Sequence, residues 1–94
     1  MSKRDEYVEK IKNQLDELNA KIDEIESKAD AASGEAKKKY QEQVDKVRNE
    51  AQQARKKLEE LKASAEAGWD NMVDEMEHVL KALKQSYNYF KSQL

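Results

Sequence analysis

The chain reads as all-α, an antiparallel up-down-up three-helix bundle or coiled coil with turns at Gly34 and Gly68, and three observations point there. Large apolar residues recur at alternating spacings of three and four along nearly all of the 94 residues, the rhythm from which helices build a continuous seam. That rhythm slips by one residue twice, each time at one of the only two glycines. Proline is absent, and the positions between seam residues hold Glu, Lys, Gln, Ala and Arg, which lose little entropy in a helix.

The first helix is expected over about 3–32. Its seam runs Val8, Ile11, Leu15, Leu18, Ile22, Ile25, Ala29 and Ala32, and Ser2 with Asp5 reads as a capping box at its start. The second is expected over about 36–66, with Tyr40, Val44, Val47, Ala51, Ala54, Leu58, Leu61 and Ala65 on its seam. The third is expected over about 70–92, led in by Trp69 and continued by Val73, Met76, Leu80, Leu83, Tyr87, Phe90 and Leu94. Glu precedes Lys by four residues at Glu6/Lys10, Glu17/Lys21, Glu24/Lys28, Glu35/Lys39, Glu42/Lys46 and Glu77/Lys81, the favoured orientation on a helix. Together they form one helical domain over 1–94.

Two kinds of architecture fit the slips. Either the glycines are left-handed C-cap residues that let the chain reverse, or one rod passes through both and absorbs two skip residues; a dimer of long hairpins lies between. Reversal at the first glycine pairs Leu15 with Ala54, Ile22 with Val47 and Ile25 with Val44, and reversal at the second pairs Leu58 with Met76, Ala54 with Leu80 and Val47 with Tyr87. Both mirrors fall on or beside the glycines, and large residues meet small ones, as close packing requires. The flanking charges then expected to face each other are Lys62 and Asp70, Arg55 and Glu77, and Lys21 and Glu50, with Arg48 opposite Lys84 against the trend.

Composition narrows function mainly by subtraction. The 20 acids and 18 Lys or Arg nearly cancel, which leaves no strong field to gather a polyanion. Without cysteine there is no disulfide, thiolate metal site or Cys nucleophile. The opening Met-Ser-Lys-Arg-Asp-Glu has no apolar stretch behind its charges, and a cytoplasmic protein is expected. His78, the only histidine, falls on the outer face of the third helix, where one imidazole makes no zinc site. Lys37-Lys38-Lys39 and Arg55-Lys56-Lys57 are bracketed by acids, the pattern of a solvated helix face and not of a nucleic-acid interface. No phosphate loop, H-E-x-x-H or nucleophile elbow is present, so neither an enzyme, a cofactor nor a small-molecule substrate is expected.

The third helix departs from even patterning. Met72 and Val79 flank its seam and Tyr89 lies off it among Tyr87, Phe90 and Leu94, a stripe wider than two neighbours need. Met72, Val79 and Tyr89 are therefore the candidate partner surface, open to self-association, a partner helix or lipid. Against lipid, Asp70, Asp74, Glu75 and Glu77 crowd the first two turns. Trp69 is expected to plug the end of the core, with Arg4 over its face.

The stretches MSKRDEYVEKIKNQLDELNAKIDEIE and AKKKYQEQVDKVRNEAQQARKKLEELKASAE, with the pair Trp69-Asp70 opening the last helix, resemble a family of small, mostly uncharacterised bacterial coiled-coil proteins. Some relatives bear a stress-response label. The resemblance implies a soluble, non-enzymatic helical protein, and the Tyr87-Asn88-Tyr89-Phe90 ending departs from the family's alanine-rich C-terminus. The leading expectation is a structural or interaction protein acting through coiled-coil surfaces; the alternative is a reversible binder of lipid or hydrophobic surfaces using the third helix.

Overall fold

Ser2 starts the first helix by accepting a 3.1 Å hydrogen bond from the Asp5 amide at its hydroxyl, satisfying one of the donors that a helix N-terminus leaves free. The computed structural model describes residues 2–93, and α1 spans Lys3–Asp30. α2 (Gly34–Ala63) follows after a short reversal, then a 3-10 turn (Glu66–Gly68) runs directly into α3 (Trp69–Gln93). The three helices stack side by side in a body of 51 × 20 × 18 Å, with each consecutive pair antiparallel.

The two glycines do different work. Gly34 has φ of +66°, the left-handed region that only glycine enters freely, and so redirects the chain into α2 just after Ser33. It stands after the reversal, not as the C-cap of α1, whose last turn closes through the Ala31 and Ala32 amides on the Ser27 and Ala29 carbonyls. At the second reversal the chain turns through extended Ser64 and Ala65, and Gly68 closes the 3-10 turn without a positive φ. The left-handed cap expected at Gly68 is thus absent, because an extended pair followed by a 3-10 turn reverses the chain by itself.

The seam residues form one core. Ile11, Leu15, Leu18, Ile22, Ile25 and Ala29 of α1 meet Val44, Val47, Ala54, Leu58 and Leu61 of α2 and Met76, Leu80, Leu83, Tyr87 and Phe90 of α3. Val8, Tyr40, Ala51, Trp69 and Val73 are partly buried against it, Ala65 is exposed, and Leu94 lies outside the described residues. No polar or charged side chain is buried among the described residues. α2 approaches both neighbours closely along its length, whereas α1 and α3 come near each other at few points. Side-chain size accounts for this: the α2 seam carries Val44, Val47 and Ala54, which let backbones close in, while Ile, Leu, Tyr and Phe from α1 and α3 hold those two helices apart.

Candidate interaction surface

Two aromatic clusters close the ends of the rod. At one end the Arg4 guanidinium lies 4.6 Å from the Trp69 ring centre, as the sequence predicts. Its Nη2 also donates to the Lys62 carbonyl at 3.3 Å and to that of Ser64, capping acceptors that the C-terminus of α2 leaves over. Trp69 meets Tyr7 edge to face with centroids 5.9 Å apart, and the Tyr7 hydroxyl donates to Glu77 at 2.6 Å. Burial, more than this hydrogen bond, pushes the Tyr7 phenol above its ordinary range. At the other end Tyr40 packs edge to face on Phe90, 6.0 Å between centroids.

Tyr7 is a member of the first cluster that periodicity passes over. It stands one residue before Val8, on the edge of the seam. Its one signal was an aromatic residue on the turn of α1 that the bundle brings beside Trp69.

The charged flanks pair differently from expectation. Arg55 reaches Asp16 on α1 at 2.9 Å instead of Glu77, whose carboxylate takes Tyr7. Lys62 lies 3.6 Å from Glu59 on its own helix instead of Asp70, and Glu50 accepts from Ser86 at 2.8 Å and 2.9 Å instead of facing Lys21. Arg48 turns away from Lys84 to Asp23 at 2.6 Å and Glu26 at 2.8 Å, whose hydrogen bonds hold its proton more tightly. Long side chains on α2 can swing to either neighbour, and α1 offers them acids on its near edge. Lys57 bridges to Glu75 of α3 at 3.0 Å, so two members of the Arg55-Lys56-Lys57 cluster are spent on ion pairs.

The candidate partner residues do not share one open face. Met72 and Val79 are half-buried and pack against the core, which explains the width of the α3 stripe. Tyr89 alone is an exposed large hydrophobic residue among those described, at 60%, and one residue round from buried Phe90 it points about 100° away from the core. Val79 lines a shallow groove between α2 and α3 with Gln53, Ala82 and Ser86, and His78, fully on the surface, edges it. Among the described residues no group of three or more His, Asp or Glu side chains is arranged to hold a metal, and no helix is long and apolar enough to cross a membrane.

A groove beside the core runs between α1 and α3, where the helices stand apart. It encloses about 370 Å³ over Leu18 and Tyr87, each 7% exposed, and is edged by Glu17 and Lys21 of α1 and Lys84 and Asn88 of α3. Lys84 donates to Gln14 across it at 3.4 Å. Comparison of the chain with models of protein families, with curated proteins and with solved structures found no match.

Proposed function

We propose that this chain is a non-enzymatic interaction protein whose lateral helix surfaces bind a second helical protein or another copy of itself. The observation that carries the reading is the closure of the seam: from Ile11 to Phe90 its large residues are consumed inside the bundle, and the charged flanks between helices are what remains to meet a partner. A three-helix rod with grooves between its members offers a fourth helix the same geometry by which the three pack on one another. The resemblance to bacterial coiled-coil proteins, some labelled for stress response, supports a cytoplasmic role of this kind under stress.

Photo-crosslinking tests it. A photoreactive amino acid placed singly at half-buried Asn19 and at exposed Gln53 and Asn88 samples the three lateral faces in cells exposed to stress and in unstressed cells. A discrete adduct at one face supports the reading, and absence of any adduct at all three sinks it.

A second reading, adsorption of α3 to lipid, is favoured by its face of Met76, Leu80, Leu83, Tyr87 and Phe90, the most aromatic of the three seams. Those residues are buried, so adsorption requires α3 to leave the bundle, at about 1.5–3 kcal/mol for each large side chain exposed. Co-sedimentation with anionic and neutral vesicles decides: no pelleting removes this reading.

A further inference from the structure

Along the facing edges of α1 and α3, residues a heptad apart form a ladder: Tyr7, Gln14, Lys21 and Lys28 on α1, and Glu77, Lys84 and Lys91 on α3. The first two rungs are made, Tyr7 to Glu77 at 2.6 Å and Gln14 to Lys84 at 3.4 Å. Both join residues at the same offset, and that offset brings Lys91 opposite Lys21 on the next rung, a cation against a cation. Lys28 follows a heptad later, in the last turn of α1, as Lys91 does in the last turn of α3. The helix dipole accounts for cations in those last turns, but not for Lys21 and Lys84 two turns earlier.

On the other two flanks several cations are answered by acids across the helix boundary, although Lys12 and Lys56 on the α1/α2 flank make no ion pair among the described residues. Arg48 and Arg55 meet Asp23, Glu26 and Asp16 between α1 and α2, and Lys57 meets Glu75 between α2 and α3. Among the described residues, none of Lys21, Lys28, Lys84 and Lys91 lies within 4.0 Å of a carboxylate. Two acids share this edge of α1: Glu17 lines the groove beside Lys21, and Glu24, between Lys21 and Lys28, stands near enough to Tyr87 to raise its phenol further after burial has done so.

We infer that the lower half of the α1/α3 groove is the seat of an acidic amphipathic helix of a partner protein. Lysines one heptad apart on each wall are about 10 Å apart along the axis, the repeat at which a helix presents Glu residues on both sides of an apolar stripe. That stripe would cover Leu18 and Tyr87, the core residues that remain slightly open here. A bilayer fits less well, because the face is concave and exposes no large apolar group of its own to insert. The inference rests on the reading of the chain as an interaction protein and names the face and the chemistry of the partner.

The test uses the purified full chain and a fluorescein-labelled synthetic 21-residue helix with Leu at positions a and d and Glu at e and g, read by anisotropy at low and high salt. Saturable binding is expected, weakened about tenfold or more by the double variant Lys21→Glu/Lys84→Glu and by added salt. The control Lys37→Glu/Lys56→Glu changes net charge equally on exposed positions of α2 outside the groove and is expected to stay within about twofold of the parent. Circular dichroism verifies that each variant remains helical. Equal weakening by the control, absence of saturable binding, or groove-dependent pelleting with phosphatidylserine vesicles while the peptide fails to bind would each overturn the proposal. An adduct at Gln53 but not at Asn88 in the crosslinking experiment would likewise remove this groove while leaving the broader reading intact.

Discussion

The Arg4 guanidinium sits 4.6 Å from the centre of the Trp69 ring while donating to carbonyls at the end of α2, so one side chain in the first turn of α1 fastens both other helices. A cation over an indole is worth about 0.5–1 kcal/mol when exposed, and a hydrogen bond from a charged donor about 1.5–3 kcal/mol. Arg4→Ala is expected to lower stability by about 1–3 kcal/mol in urea denaturation. Arg4→Lys should recover only part of that, because an ammonium lacks the planar fork that stacks and donates together. A loss below about 0.5 kcal/mol for Arg4→Ala would show the contact to be energetically idle.

The glycines should respond in opposite senses to the same change. Nothing lies within 4 Å of a Cβ built on either one, so backbone conformation alone separates them. Gly34→Ala forces a side chain into the left-handed region and is expected to cost about 1–2 kcal/mol. Gly68→Ala meets no such strain and is expected to be neutral or to stabilise by up to about 1 kcal/mol through the unfolded chain. Thermal denaturation of the two variants checks this, and equal destabilisation would mean that the second reversal does not run through Ser64 and Ala65.

Core layers give a third expectation. Leu80→Ala removes buried volume at 2% exposure and should cost about 2–5 kcal/mol, enough to unfold a domain this small. Ala54→Leu, where α2 runs close to both neighbours, should cost about 1–3 kcal/mol by overpacking. Tyr89→Ser should stay within about 0.5 kcal/mol, since the ring is outside. Guanidinium titrations rank the three.

Alkaline pH should destabilise the bundle through two of its tyrosines. Burial holds the Tyr7 and Tyr87 phenols protonated above their ordinary range, with Glu77 and Glu24 respectively adding to the shift. In the unfolded chain they ionise near pH 10, so above that pH the unfolded state binds fewer protons and stability falls as pH rises. The stabilisation is fully present below about pH 10 and is lost on the way to the raised folded values. Melting temperatures between pH 8 and pH 11 should drop less steeply for Tyr7→Phe than for the parent, and identical slopes would exclude Tyr7 as a source.

Much of this architecture is legible in residue spacing. The heptad seam marks the core nearly residue by residue, since a buried Leu or Ile contributes a large and non-directional free energy that leaves few alternatives. Trp69 over Arg4 is legible for the same reason: once the reversals are placed, their turns are neighbours. The ion pairs are not, because Arg55 gains at most about 1 kcal/mol from either Asp16 or Glu77 and its length reaches both. The Gly68 conformation is also hidden, since glycine permits a left-handed cap without requiring one. Of the candidate partner residues, Met72 and Val79 widen the α3 stripe because they pack inward, which spacing alone does not distinguish from an interface. The α1/α3 groove emerges only when the offset between parallel helices is known, for it is built from lysines that look solvated one helix at a time.

The most direct test of the folded-back bundle is small-angle X-ray scattering with in-line light scattering over a concentration series. The expected particle has a single-chain mass near 10.9 kDa, a longest dimension close to 51 Å and a Cα radius of gyration of 15.3 Å. A longest dimension of roughly 135 Å, the length of a continuous helix of about 90 residues, would contradict the two reversals outright.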